Sequence, residues 1–266
     1  MHTSVSNKSA NRDDYQFIAR SIGAMPKEFA QGHHNLPHTH DRDQLIYASH
    51  GIMQIKSQHK QWILSPEMAL LIPHHVEHEM TALSDVSLRT LFIHPNVYSH
   101  AGIKMVHVGT FLKELILKAM TFPIEYDEHG IDGKVMDLIV HEIHHNYVED
   151  FALPIVTHPK LQSIEQEAMH NTILLTQTID DWAKHFHCSS KTLSRLIQKE
   201  LGMGFQLWMQ LLTVKISLVK MAQHEPLTQI AYDLGYASLA SFSRMFKKTT
   251  GQSPSQMQSV AAPSVL

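Results

Sequence analysis

Four residues in the first third of the chain have the types and spacing of a metal-ligand set. They fall in the pattern Gly32-x5-His38-x-His40-x3-Gln44-x6-Gly51, which is followed by Pro73-x-His75-x2-His78. Histidines two apart on a strand point to the same face. Gln44 is close enough to curve back, and His78 is expected on a neighbouring strand. Imidazole nitrogens with one oxygen donor suit a divalent transition metal: zinc, nickel, iron or copper. Gln44 is a neutral amide, so His38, His40, Gln44 and His78 would hold an ion without adding negative charge. The competing expectation is that the three histidines line a pocket and touch an organic effector directly. Histidine is abundant, 22 of 266 residues with 18 of them in residues 1–160, and most are expected to be solvated. His141-Glu142-Ile143-His144-His145 also places two histidines four apart, the H-E-x-x-H spacing of zinc peptidases. Its neighbours Ile139, Val140 and Ile143 make it a packing helix. No third ligand follows at the required spacing, short of Glu149 or His158.

A second group of residues has the chemistry of base and phosphate recognition. Ser190, Lys191, Thr192, Ser194 and Arg195 share the side of a helical segment opposite Leu193, Leu196, Ile197 and Leu201. Ala240, Ser241, Arg244 and Lys247 stand likewise opposite Phe242, Met245 and Phe246. A helix that enters the major groove needs this division: an apolar back, small residues near its N-terminus, and Arg or Lys reaching bases and phosphates. The two segments are copies. Ile179-x2-Trp182-Ala183-x2-Phe186-His187 aligns with Leu227-x2-Ile230-Ala231-x2-Leu234-Gly235, and Ser194-Arg195 and Gly202 align with Ser243-Arg244 and Gly251. Each copy reads as short helix, turn and longer helix ending at glycine, a helix-turn-helix.

The elements that must position these residues follow from period and punctuation. Short apolar runs at 44–47, 52–56, 62–64, 68–72 and 88–93, broken by Gly51, Pro66, Pro73 and Pro95, predict a sandwich or barrel. Spacings of three and four over 111–120 and 135–147 predict two amphipathic helices, packed on the barrel or on a partner subunit. The fold class expected is α+β: an N-terminal cupin-like β-barrel with a helical pair, then an all-α domain with two helix-turn-helix motifs. The expected division is a disordered leader 1–15, a barrel 16–105, a helical region 106–152, a linker 153–162 and a DNA-binding domain 163–262. Residues 1–160 carry 13 basic against 18 acidic side chains, and the remainder 9 against 7, so the chain is no uniformly basic nucleic-acid coat. A single cysteine, Cys188, excludes an internal disulfide framework and is expected as filler. No apolar stretch is long enough to span a bilayer. No membrane partner is expected, and the expected location is cytoplasmic. Trp62 and Tyr47 are expected in the core, and no Arg or Lys cluster in the barrel segment marks a phosphate site.

Ile230-Ala231-Tyr232-Asp233-Leu234-Gly235-Tyr236, Ser241-Phe242-Ser243-Arg244-Met245-Phe246-Lys247 and Gly251-Gln252-Ser253-Pro254 resemble the DNA-binding domain of AraC/XylS transcription regulators over residues 163–260. His187 stands where that family usually has glycine. Thr213 and Ser217 replace a common arginine and alanine. The N-terminal pattern resembles the two cupin motifs, with Gln44 for the usual glutamate, Glu67 and His75 for glycines, and Ala82 for an asparagine. The combined resemblance covers about 20–260. It implies a sensor barrel for a small-molecule effector, helices that support a homodimer, double-stranded DNA as partner, and RNA polymerase as a further partner if the protein is an activator. The function expected is therefore sequence-specific regulation of transcription, without catalytic residues. The alternatives are a metal-dependent cupin enzyme of the oxygenase or isomerase class, or a direct sensor of a metal ion.

Overall fold

Apolar strand runs without polar interruption call for a sheet buried on both faces. The computed structural model, which describes residues 8–97, 101–148, 152–223, 225–251 and 253–259, contains one. In chain order the strands are β1 (Ile22–Phe29), β2 (His34–His38), β3 (Asp43–His50), β4 (Met53–Ser57), β5 (Lys60–Leu64), β6 (Met68–Ile72), β7 (His78–Ala82), β8 (Val86–Ile93) and β9 (Lys104–His107). Helices α1 (Thr110–Ala119) and α2 (Ile131–His145) follow, with the short strands β10 (Tyr147–Val148) and β11 (Leu153–Pro154). A six-stranded sheet has the order β1-β8-β3-β6-β9-β10 and a five-stranded sheet the order β11-β5-β4-β7-β2. Among the described residues, 8–58 and 62–148 form one compact unit, and 59–61 with 152–259 form another.

Strand period explains how the first unit is layered. Alternate residues of a strand face opposite sides. Leu45 and Tyr47 of β3, Ala69 and Leu71 of β6, and Leu91 and Ile93 of β8 join Leu112, Ile116, Met136, Ile139 and Ile143 of α1 and α2 in one buried cluster. The two helices thus pack on the six-stranded sheet, one of the two contacts expected of them. The intervening residues Gln44, Ile46, Leu88 and Phe92 line a cavity, with Met80 and His78 of β7 also on its wall. Tyr47 and Trp62 are core, as expected.

Residues 8–15, expected in a disordered leader, are ordered. Asn11 caps a one-turn 3-10 helix, Arg12–Tyr15. Tyr15 is fully buried and stacks on Phe92. Lys8 Nζ donates to the carbonyls of Ala24 and Ala119. One aromatic side chain and these two carbonyls hold a segment whose composition is otherwise polar. Residues 1–7 of that leader lie outside the described residues. The buried guanidinium of Arg42 fastens the next stretch, donating to the carbonyls of Gln16, Ile18, Arg20 and Ser21.

The second unit is helical beyond β11: α3 (Pro159–His170), a 3-10 turn (Thr172–Thr176), α4 (Ile179–His185), α5 (Ser190–Leu201), α6 (Phe205–Ala222), α7 (Leu227–Asp233), α8 (Leu239–Thr250) and α9 (Pro254–Ser259). The expected linker 153–162 is instead strand β11, paired with Gln61 and Lys60, and the first turn of α3, which Pro159 opens at N1. The helical domain therefore begins at 159 rather than 163, and residues 260–262 of its expected end lie outside the described residues. Thr178 and Asp181 form a capping box on α4, and Ser189 and Ser238 cap α5 and α8. Gly202 and Gly251 end α5 and α8 in the left-handed conformation. Among the described residues no helix is long and apolar enough to cross a membrane.

The turns of the two helical copies differ. Gly235 has φ 80°, and its counterpart His187 holds φ 50°, a conformation that costs a side-chain-bearing residue about 1 kcal/mol. His187→Gly should raise the unfolding free energy of the chain by about 0.5–1 kcal/mol. Gly235→Ala should lower it by about 2 kcal/mol, because the new Cβ would stand 2.4 Å from Thr176 Cγ2. Denaturant melts of both variants check the opposite signs; equal signs would contradict this account of the turns.

Candidate functional sites: a histidine-lined cavity and two exposed helices

The cavity has a volume of about 380 Å³. His38 ends β2 opposite His78, which begins β7, and the β2–β7 pairing shifts register between Asn35 and His38. His40 lies in the connection to β3, and Gln44 is the second residue of β3. All four reach the same place. Ring centroids lie 4.9 Å apart for His38 and His40, 4.5 Å for His38 and His78, and 5.3 Å for His40 and His78. One ring nitrogen from each falls within 4.8 Å of the others. His40, Gln44 and His78 are buried and His38 is half-buried.

Hydrogen bonds fix which atoms face inward. His38 Nδ1 lies 2.7 Å from the Leu36 carbonyl and His78 Nδ1 2.9 Å from the Val76 carbonyl. A carbonyl only accepts, so each Nδ1 carries the proton and each Nε2 keeps a lone pair. Gln44 Nε2 donates to Thr90 Oγ1 at 3.1 Å, and Thr90 Oγ1 donates to the Leu45 carbonyl at 2.9 Å. The amide is thereby held with Oε1 as its remaining group. Among the described residues, the buried atoms His40 Nε2, His78 Nε2 and Gln44 Oε1 have no hydrogen-bond partner. Leaving such groups unpaired costs about 1–3 kcal/mol each.

Burial makes the histidines neutral. It pulls His40 down to about 3 and His78 to about 4, with the neighbouring imidazoles and Arg12 pushing the same way. His38 is also lowered, mainly by burial. Gln44 lies near His40 and favours its protonated form slightly, without forming a hydrogen bond of normal geometry. Three neutral imidazoles, two of them with the lone pair on Nε2 fixed by their Nδ1 hydrogen bonds, and one amide oxygen are a donor set for a divalent metal. Backbone carbonyls behind two of the rings supply the outer support such ligands commonly have.

Two cavity residues were not legible as site residues. Arg12 and Lys27 are far apart in sequence, yet both line the cavity. No run of basic residues signals them; the strand period of β1, which puts Met25, Lys27 and Phe29 on one face, was the available clue for Lys27.

The H-E-x-x-H segment is different. His141 and His145 stack with centroids 4.0 Å apart on an exposed face of α2. His145 Nδ1 engages the His141 carbonyl, and Glu142 accepts from Asn146. Among the described residues no third acidic, histidine or cysteine ligand joins them. Glu149 lies outside the described residues, and His158 Nδ1 accepts from the Lys160 amide at the start of α3.

On α5, Leu193 and Ile197 are buried while Lys191, Thr192, Ser194, Arg195, Gln198 and Lys199 are exposed. On α8, Phe242 and Phe246 are buried while Ala240, Arg244, Lys247 and Lys248 are exposed. Three of the four hydroxyls among the expected contacts are already engaged. Ser190 donates to Asp180, Thr192 Oγ1 lies 2.9 Å from Ser189 Oγ, and Ser241 Oγ donates to the Ser238 carbonyl. Lys191, Arg195, Arg244 and Lys247 have no ion-pair partner among the described residues. Thr213 and Ser217 of α6 are buried and bond back to the Met209 and Val214 carbonyls, so they belong to the core. Cys188 is half-buried.

Residues 28–103 match the model of the AraC-like ligand binding domain, and residues 182–259 match that of a helix-turn-helix domain. The HTH-type transcriptional regulator NimR of Escherichia coli (strain K12) is 29% identical over 218 residues, covering 82% of this chain and 80% of that protein. Among solved structures, ToxT from Vibrio cholerae is 14% identical with a TM-score of 0.37, covering 91% of this chain and 99% of that one. The C-terminal domain of AraT, a response regulator from Geobacillus stearothermophilus, is 32% identical with a TM-score of 0.32, covering 38% of this chain and 85% of that one.

The lowered histidines carry a stability consequence. In the unfolded chain they take up protons near pH 6.5. In the folded chain His40 and His78 do so only near 3 and 4. Their contribution is therefore complete above pH 6.5 and lost as pH falls toward 4. Metal-free protein should show a falling melting temperature across that window, and His40→Gln should flatten the fall. A wild-type melting temperature constant from pH 7 to pH 4.5 would contradict this.

Proposed function

The chain belongs to the AraC/XylS family of transcription regulators with an N-terminal sensor domain, and we propose that it reads DNA with α5 and α8 under control of an effector bound in the histidine-lined cavity. The helix-turn-helix domain makes DNA its partner, and the ligand-binding domain makes a small molecule its effector. Membership in a regulator family supports a non-enzymatic role over a metal-dependent oxygenase or isomerase.

The finer reading is that a divalent metal sits among His38, His40, Gln44 and His78 and forms part of the effector site. The observation that carries it is the inward convergence of buried, unpartnered Nε2 and Oε1 atoms from separate strands and loops. Zinc, nickel, iron or copper would supply a Lewis-acidic centre there. The chain's own residues orient the rings through Leu36 and Val76, hold Gln44 through Thr90, and keep the histidines neutral by burial. Operator reading rests on Lys191, Ser194, Arg195, Ala240, Arg244 and Lys247, with Ser190, Thr192 and Ser241 shaping the helix starts. Two such helices on one chain suit successive major grooves. Homodimerisation through α1 and α2 would multiply a modest basic charge. As an activator the protein would also meet RNA polymerase, and it would act in the cytoplasm.

Two measurements test this. Protein purified without an affinity tag should contain near-stoichiometric transition metal by elemental analysis, and His38→Ala/His78→Ala should lose it. Metal-free wild-type protein that keeps effector-dependent operator binding would leave the histidines as pocket lining. A change of operator affinity with metal alone would make the ion itself the effector. In gel shifts on its own promoter, Arg195→Ala and Arg244→Ala should each weaken binding by about 1–3 kcal/mol without altering the melt. Unchanged affinity in both variants would remove α5 and α8 as the reading helices.

A further inference from the structure

The cavity walls show a charge imbalance that a metal alone does not answer. Seventeen of the described residues line the cavity, and none of these is acidic, while Arg12 and Lys27 are both present. The Arg12 guanidinium has one acidic neighbour among the described residues, Asp13, with Nε 3.9 Å from Oδ1, beyond hydrogen-bond range. Lys27 Nζ lies 5.2 Å from the centre of the Phe29 ring and has no ion-pair partner among the described residues. Glu79, behind the cavity-lining His34, is taken by Lys56 at 2.9 Å and by His34 at 3.2 Å. Glu28, beside Lys27 in sequence, is taken by Arg89 at 2.7 Å. Glu28 and Glu79 are thus committed elsewhere, Asp13 is largely exposed, and the two cations are half-buried at the cavity wall.

An apolar part of the wall is formed by Met25, Phe29, Ile46, Met80, Leu88 and Phe92, and the neutral polar side chains of Asn11, His34 and Asn35 also line the cavity. A volume of about 380 Å³ fits a compact organic molecule. Arg12 is close enough to all three histidines to lower their proton affinity. A dication held by the neutral set His38, His40, Gln44 and His78 would add to the same excess of positive charge. Both the cations present and the ion of the preceding reading therefore select a ligand of negative charge.

We propose that the effector is a small organic anion, a carboxylate on a compact apolar body, whose charge is met by Arg12 and Lys27. The proposal rests on the cavity being the effector site, and it holds with or without the metal. The body packs on Phe29, Phe92 and the methionines, and the carboxylate takes charge-assisted hydrogen bonds from the guanidinium and ammonium groups. Arg12 lies in the one-turn helix that also buries Tyr15, so the ordered N-terminal segment supplies half of the anion site.

The test is calorimetry of full-length protein with matched probes: phenylacetate, 2-phenylethanol and 2-phenylethylamine, and the same three groups on cyclohexyl and butyl bodies. Each set is run on chelator-treated and on zinc-loaded protein. The carboxylate should bind at least about tenfold more tightly than the alcohol of the same body, and the amine least. Arg12→Gln should cost the carboxylate about tenfold or more and leave the alcohol unchanged, which a merely structural role for Arg12 would not do. Lys27→Gln, on a strand whose fold does not depend on its charge, should lower carboxylate affinity in the same selective way. Equal affinity across a matched set, preference for the amine, or no carboxylate binding at millimolar concentration would overturn the proposal. Carboxylate selectivity in protein that takes up no zinc would instead overturn only the metal reading.

Discussion

Everything in the first unit depends on a sheet that is buried on both sides. One face of the six-stranded sheet must satisfy α1 and α2, and the other must satisfy a cavity. Strand alternation assigns residues to these tasks one by one: Leu45 and Tyr47 to the helices, Gln44 and Ile46 to the cavity. A slip of one residue in β3 would send Gln44 toward the helices and Leu45 toward the histidines. Register is therefore fixed by the same apolar contacts that stabilise the unit, and the cavity inherits that rigidity.

The cavity concentrates groups that are unfavourable in isolation. Imidazole nitrogens and an amide oxygen without partners among the described residues share a cavity wall with a guanidinium, an ammonium and the apolar side chains of Phe, Met, Leu and Ile. Local polar support exists only behind them, in the carbonyls of Leu36 and Val76 and the hydroxyl of Thr90. Such a site is organised for something that supplies the missing partners, which is how binding free energy is stored in a fold without prior contact.

Legibility in the sequence followed periodicity and spacing. The strands at 44–47, 52–56 and 68–72, both helices of the pair, and the two helix-turn-helix copies were visible because apolar period and capping residues agree there. His38, His40, Gln44 and His78 were visible because their spacing is regular, and the structure gathers all four. Arg12 was hidden within a polar stretch whose order comes from Tyr15 packing on Phe92, a contact between distant segments. Lys27 was hidden because a lone lysine on a strand usually points to water. The turn positions His75 and His187 stand where the resembled families carry glycine, and both adopt positive φ, 59° and 50°. There the backbone kept the conformation while the side chain changed. The start of the helical domain was misplaced because Leu153–Pro154 pairs with a distant strand, which local pattern does not report.

The capping serines leave the two helix-turn-helix copies unequal. On α5 the outward residues after capping are Lys191, Ser194, Arg195 and Gln198; on α8 they are Ala240, Arg244, Lys247 and Lys248. Both surfaces carry cations, but on α5 they stand among Thr192, Ser194 and Gln198, and on α8 beside the methyl of Ala240. A symmetric dimer of single reading helices is matched to a palindrome, since exchanging its halves changes nothing. Two dissimilar helices on one chain have no such exchange, so a DNA element read by α5 and α8 would have a head and a tail, and orientation relative to a promoter would be information carried by a single copy of the protein.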